Sequence, residues 1–147
     1  MSALEVAKSD SAIFNINMSL SIYYEEMITD SSIYFADQAL LIAQRNNHKQ
    51  DEAVALNSKG YGLLTVGRYR EALTCLLQAH ELLEKPRDEN GQWYTDSRLL
   101  TLSANHHMFG NLMMATENTE QAIFHFKEAI RIGEEIGDSF RIHIGNE

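Results

Sequence analysis

A pattern of small residues that recurs along the chain constrains its fold more than any other feature. The pattern is a glycine, an alanine, a large apolar residue and a second alanine, at successive intervals of 12, 4 and 3 residues. It occurs three times, with tyrosine in place of glycine in the first copy: Tyr24, Ala36, Leu40, Ala43; Gly60, Ala72, Leu76, Ala79; Gly110, Ala122, Phe126, Ala129. Such a recurrence indicates one structural unit used several times. We therefore predict three units, near residues 17–50, 53–86 and 103–136.

Each unit has the pattern of a helical hairpin. In the second unit, apolar or small residues recur with helical spacing after Ala53 and again after Tyr69, which predicts two amphipathic helices. Gly67 lies between them, where a glycine suits the left-handed residue that ends a helix. The repeated Gly and Ala would let two helix backbones approach closely. Because the sequence has one proline and no long period-two alternation, we predict an all-α fold.

Two segments carry the signature of a known repeat. They are KGYGLLTVGRYREALTCLLQAHEL and FGNLMMATENTEQAIFHFKEAIRI, and in the second Glu117 and Thr119 replace the turn glycine and the aromatic residue near it. Both resemble the tetratricopeptide repeat (TPR), a helix pair of about 34 residues. The resemblance covers most of residues 17–136 and implies a right-handed solenoid of antiparallel helix hairpins.

The connection between the second and third units is longer than a TPR array requires. The extra residues, 87–102, follow Pro86 and include Gly91, and both residue types interrupt helices. The apolar residues after this point predict that the first helix of the third unit starts early and is long. Trp93 and Tyr94 would then either pack on their neighbours or contribute to a partner surface or a lid.

The last ten residues have the pattern of an incomplete fourth unit. Gly137 and Asp138 predict a helix end followed by a cap, and Gly145 lies 35 residues after Gly110. We therefore expect one TPR domain over residues 1–147, with three repeats and the start of a fourth at 138–147. A repeat array needs a polar terminal cap. The chain is thus expected to be either a piece of something longer or completed by self-association.

Two short segments in the C-terminal part of the chain resemble one variety of TPR. The segments EEIGDSFRIHIGNE and HHMFGN are similar to the repeats found in peptide-sensing regulators, in bacterial signalling proteins and in animal scaffolds of the cell-polarity type. This resemblance implies an alternative function. The chain would then be the N-terminal sensory or dimerising region of a histidine kinase or nucleotide cyclase whose catalytic domain lies beyond residue 147.

The TPR resemblance also implies a binding surface. In that family the first helices of successive repeats line a concave groove that holds a peptide. The matching positions predict this set of groove residues: Glu25, Asn57, Tyr61, Leu64, His107, Asn111 and Met114. A side-chain amide can both donate to and accept from a peptide backbone, which favours the two asparagines. The alternative is that each is simply a half-exposed helix residue. Where the chaperone-binding type of TPR carries Lys and Arg, this sequence has Ser21, Val54, Asn57, Ser58, Ala104 and Met108. An apolar or mixed peptide is therefore expected rather than an acidic tail.

The charge of the chain excludes some partners. Twelve Lys and Arg against 21 Asp and Glu give a net charge of −9, which disfavours nucleic acid. No stretch reaches the ~18 apolar residues of a membrane span. We expect a protein or peptide partner, a second copy of the chain or a C-terminal domain of the parent protein, without membrane insertion. The expected compartment is the cytoplasm, or the periplasm if a leader was removed.

No residue pattern predicts catalysis or a bound cofactor. His106 and His107 are adjacent, so they point about 100° apart on a helix, and the other histidines lack the i, i+4 spacing of a zinc pair. Cys75 lies among leucines of a predicted helix and is expected in or near the core. We therefore predict a non-catalytic domain without a metal or cofactor.

Overall fold

The fold consists of α-helices. The computed structural model describes the backbone of residues 3–24, 29–84 and 95–145, and the side chains of residues 8–23, 30–84 and 97–137. These ranges contain six helices and no strand: α1 (Ala3–Tyr24), α2 (Thr29–Arg45), α3 (Lys49–Thr65), α4 (Tyr69–Glu84), α5 (Thr95–Ala115) and α6 (Thr119–Gly145). The all-α prediction is confirmed.

The helices form three hairpins that stack in chain order. Each first helix packs along the second helix of its own hairpin: α1 on α2, α3 on α4 and α5 on α6. The first helices also contact one another in sequence, α1 with α3 and α3 with α5. Within the described ranges the backbones of α2 and α4 do not come close to each other, nor do those of α4 and α6. First helices therefore form an inner layer and second helices an outer one, which is the arrangement of a curved helical solenoid.

The repeated small residues lie where helices meet, as predicted. Ala36, Ala72 and Ala122 are completely buried. A Cβ atom added at Gly60 would lie 2.9 Å from Leu76 Cδ2, and one added at Gly110 would overlap the Phe126 ring. A methyl group at either glycine would therefore displace the facing side chain, the end of Leu76 in one hairpin and the whole Phe126 ring in the other.

Three turns in the chain share one helix-ending geometry. Asn47, Gly67 and Glu117 have φ values of 55°, 82° and 61°. At the second turn the Arg68 N–H donates to Leu63 O (2.9 Å), and the Gly67 N–H donates to Leu64 O (3.1 Å). This pair of bonds defines a Schellman motif, in which a left-handed residue ends the helix. The prediction for Gly67 is confirmed, and the two other turns adopt the same geometry without glycine.

The helix bounds differ from the sequence-based expectation at both ends of the array. α1 begins at Ala3, well before the expected start of the first unit near residue 17. α6 continues through Gly137 to Gly145 instead of ending at Gly137. A glycine inside a helix costs only about 1 kcal/mol relative to alanine, so it need not end one. The long first helix of the third hairpin is confirmed, since α5 has 21 residues against 17 in α3.

Candidate functional site

The predicted groove residues differ in how much surface they expose. In α3, Asn57 is buried, whereas Tyr61 and Leu64 are half-buried. In α5, Asn111 is half-buried, and His107 and Met114 are exposed. Glu25 lies outside the described residues. The exposed part of the predicted groove therefore lies mainly on α5.

Asn57 belongs to a polar network between helices. Its side chain is 4% exposed, and its Nδ2 donates to Thr101 O (3.2 Å) on α5. Asn105 Nδ2 in turn donates to Asn57 Oδ1 (2.8 Å) and to Leu76 O (3.0 Å). His80 Nδ1 lies 3.2 Å from Asn105 Oδ1. The Asn57 amide is thus engaged within the fold, in contrast to its predicted contact with a peptide backbone.

Asn105 is the central residue of this network and was not singled out by the sequence. It is completely buried and joins α3, α4 and α5. One signal could have identified it: counting back 50 residues, the step between the second and third units, leads to Ala55, which is also completely buried. An asparagine at a position that alanine occupies in the neighbouring repeat indicates a buried polar contact.

An open groove runs between α5 and α6. It has a volume of about 640 Å³ and is lined by Leu100, Ser103, Ala104 and His107 of α5 and Phe126, Ala129 and Ile130 of α6. His107 makes an edge-to-face contact with Phe126, with ring centroids 5.7 Å apart. The lining has no Asp, Glu, Lys or Arg, so the groove suits an apolar or neutral segment. We call this surface the α5–α6 groove.

Three histidines of successive helices form a cluster, in which His106 of α5 lies beside His80 of α4 and His125 of α6. His106 Nδ1 lies 3.0 Å from His125 Nδ1, and the rings of His80 and His106 are 5.3 Å apart. Burial, followed by repulsion from His80 and His125, lowers the pKa of His106 to about 4. Burial also lowers the pKa of His125. This cluster combines residues from three helices, and their spacing along the sequence does not indicate it.

The described residues do not form a metal-binding or membrane-spanning element. No group of three or more His, Cys, Asp or Glu side chains within them is arranged to hold a metal ion. None of the helices there is long and apolar enough to span a bilayer. Cys75 is buried in the core, as predicted, and burial raises the pKa of its thiol. A buried thiol with a raised pKa is a poor nucleophile.

The fold and its inner face define a helical-repeat domain. A family model described as the SusR N-terminal TPR domain matches residues 2–95. The chain therefore belongs to the TPR family, as its sequence indicated. TPR domains mediate protein interactions and are typically non-catalytic. No curated protein and no solved structure matches the chain.

Proposed function

We propose that this chain is a non-catalytic interaction domain that binds a peptide, or a segment of a partner protein, along its concave face. The site consists of Tyr61 and Leu64 on α3 and of His107, Asn111 and Met114 on α5. The observation that carries the proposal is the order in which the helices pack. First helices of successive hairpins contact one another, whereas within the described residues second helices do not, and this supports placing the concave face on the first helices.

The side chains of this face favour a neutral partner. Met114 is 54% exposed and offers a flexible apolar contact, while Tyr61 combines an apolar ring with a hydroxyl. The Asn111 amide can pair with both the N–H and the C=O of a peptide backbone. None of the five residues carries a fixed charge. A peptide with apolar side chains, bound as an extended segment or as a helix, matches this surface best.

Peptide selection against the purified domain tests the proposal. A displayed random peptide library would be panned on the domain, and the affinities of selected peptides would then be measured for four proteins. These are the wild type, Tyr61→Ala with Asn111→Ala, Met114→Glu, and Leu77→Ala as a matched control. Leu77 is 52% exposed on α4 and lies on none of the three first helices.

We expect the double variant and Met114→Glu each to lose at least about tenfold in affinity, which is 1.4 kcal/mol. The Leu77→Ala control should bind like the wild type. Urea denaturation would confirm that each variant remains folded. The proposal fails if no peptide is selected, or if selected peptides bind equally well to the wild type and to both groove variants.

A second candidate function follows from the family description. The matching family model describes an N-terminal domain, and on this likeness we propose as the alternative that the chain is the N-terminal sensory or dimerising region of a longer signalling enzyme. Sequencing the gene past codon 147 tests this alternative. A kinase or cyclase domain in the same frame would support it, and a stop codon directly after Glu147 would refute it.

A further inference from the structure

The first two hairpins each hold the first helix of the hairpin that follows. α3 packs against both α1 and α2, and α5 packs against both α3 and α4. The contacts are specific. The hydroxyls of Ser21 and Ser58 are 3.0 Å apart, and a Cβ added at Gly62 would lie 2.7 Å from Ile33 Cγ1. Placing a helix in the groove of a preceding hairpin is thus the repeated packing step of this fold.

The α5–α6 groove is the third copy of the same surface. Counting along the repeats, Leu100, Ala104 and His107 occupy the positions of Phe14, Met18 and Ser21 in the first hairpin. Phe14, Met18 and Ser21 are 7%, 8% and 0% exposed. In the third hairpin Leu100 is 64% exposed, and Ala104 and His107 are also exposed. Within the described residues no helix occupies this groove.

The opposite end of the array offers a helix face of matching pattern. In α5, Leu102, Asn105 and Phe109 face the preceding hairpins. Leu102 packs against a core cluster that contains Leu56 and Ala79, and Phe109 forms a cluster with Leu76. The equivalent residues of α1, 86 positions earlier, are Ile16, Ser19 and Tyr23. Both sets consist of an apolar residue, a small polar residue and an aromatic residue, in this order. We call Ile16, Ser19 and Tyr23 the α1 outer face.

The α1 outer face is accessible and uncharged. Ile16 is 58% exposed and Ser19 is also exposed. Residues 11–24 contain no charged side chain, in a chain whose net charge is −9. Two copies of so acidic a protein repel each other wherever their charged surfaces meet. Contact between this face and the α5–α6 groove would bring two uncharged surfaces together.

We propose that the α1 outer face of one copy docks in the α5–α6 groove of another, so that copies join head to tail. The incoming α1 takes the place that α3 and α5 take within one chain, with Ser19 where Asn105 lies in the second hairpin. Such a contact is heterologous, because it joins two different surfaces. It leaves one free surface at each end, so that further copies can add and association continues beyond the dimer, into open chains or into rings where the rotation closes. The inference does not depend on the proposed peptide-binding function.

Sedimentation velocity on the purified chain tests the proposal. A single docked helix buries a small area, so micromolar to millimolar dissociation constants are expected. The wild-type weight-average mass should rise continuously as the concentration is raised from about 10 μM to roughly 1 mM, and should pass the dimer mass. Ile16→Glu places a charge on the α1 outer face, and Ile130→Glu places one in the α5–α6 groove, so that each substitution disables one of the two docking surfaces. Since both residues are more than half exposed, the substitutions should leave the fold intact.

Mixing the two variants identifies the mode of contact. Each variant alone should remain monomeric, because each lacks one of the two surfaces. An equimolar mixture should form a dimer and nothing larger, since only one complementary pair of surfaces remains. Leu77→Glu is the matched control, an exposed leucine on α4 changed to the same residue, and should associate like the wild type.

Three results would overturn the proposal. The first is a wild-type protein that stays monomeric over the whole concentration range. The second is a species that stops at the dimer in the wild type, which indicates an isologous contact. The third is association that persists in either variant alone. Circular dichroism and urea denaturation of each variant would separate loss of docking from loss of folding.

Discussion

The second and third hairpins share one pattern of small residues, yet their grooves differ in what covers them. In the second hairpin α5 lies across the groove, so that Ala53, Leu76 and Ala79 are completely buried. In the third hairpin Ile130, in α6, is 61% exposed at the groove. The same position in a repeat can therefore stabilise the fold in one unit and present a surface for binding in the next. The neighbour decides which role a residue has.

The two hairpins also differ in how tightly their helices and turns are fitted. Gly60 faces the flexible end of Leu76, whereas Gly110 faces the rigid ring of Phe126. The turn of the second hairpin uses Gly67, and that of the third places Glu117 in the same left-handed conformation. The third hairpin thus contains both the tighter helix contact and the more strained turn.

The largest expected effect concerns the two helix-contact glycines. Gly110→Ala should destabilise the protein by about 2–3 kcal/mol, because the new Cβ overlaps three atoms of a ring that moves only as a whole. Gly60→Ala should cost less, since the end of Leu76 can shift. Gly133→Ala is the matched control: no atom lies within 4 Å of its added Cβ, so a gain of about 0.5–1 kcal/mol is expected.

Urea denaturation measures these three values. Phe126→Leu introduces the Leu76 side chain at the equivalent position. Combined with Gly110→Ala, it should recover part of the lost stability. Equal costs at Gly60 and Gly110 would contradict the distinction between the two contacts.

The pH dependence of stability should originate in the third hairpin. The pKa of His106 is about 4 in the fold, below its ordinary value of 6.5. The unfolded chain therefore binds a proton first as the pH falls. Stability should be fully present above about pH 6.5 and decrease towards pH 4, by about 2 kcal/mol in total. The groups that interact electrostatically with this ring are His80 of α4 and His125, Glu128 and Arg131 of α6.

His106→Leu provides the matching test, because Leu56 occupies the equivalent position in the second hairpin. The free energy of unfolding would be measured at several pH values for both proteins. Between pH 6.5 and pH 4, the free energy of unfolding should decrease much less in the variant than in the wild type. A decrease of the same size in the variant would assign the pH dependence to other groups.

Asn57 and His107 occupy equivalent positions, but replacing each of them by alanine should change the stability of the protein by different amounts. Asn57→Ala removes a buried amide and leaves Asn105 with one fewer partner, so a loss of about 1–2 kcal/mol is expected. His107→Ala removes an exposed side chain and should change stability by less than about 0.5 kcal/mol. Chemical denaturation of the two variants makes the comparison. Similar losses would indicate that the two grooves are covered to a similar degree.

The smallest expected effects concern the turns and have opposite signs. Glu117→Gly should stabilise the protein by about 1 kcal/mol, because glycine adopts positive φ without the steric cost of a Cβ. Gly67→Ala should destabilise it by a similar amount for the same reason. Thermal melting of both variants shows directly whether each substitution raises or lowers the stability. A destabilising Glu117→Gly would show that the Glu117 side chain contributes more than the backbone strain costs.

The sequence predicted those features that depend on residues close together in the chain. The buried alanines, the left-handed Gly67 and the long α5 each leave a local signal, either a small residue or a helix-breaking one. The start of α1 has no such local signal, since Ser9, Ser11 and Asn15 do not distinguish a helix from a loop at that end. The Asn57–Asn105 pair and the histidine cluster join residues 48 and 19 positions apart, and such pairing depends on tertiary packing.

Thiol labelling tests most directly the central claim that the third hairpin has an open groove where the second has a covered one. Cysteine would be placed at the equivalent positions Ala104 and Val54, in a protein whose own Cys75 is buried. At low protein concentration Ala104→Cys should react with a thiol reagent at least about tenfold faster than Val54→Cys. Equal labelling rates would show that the two grooves are equally covered and would contradict the account.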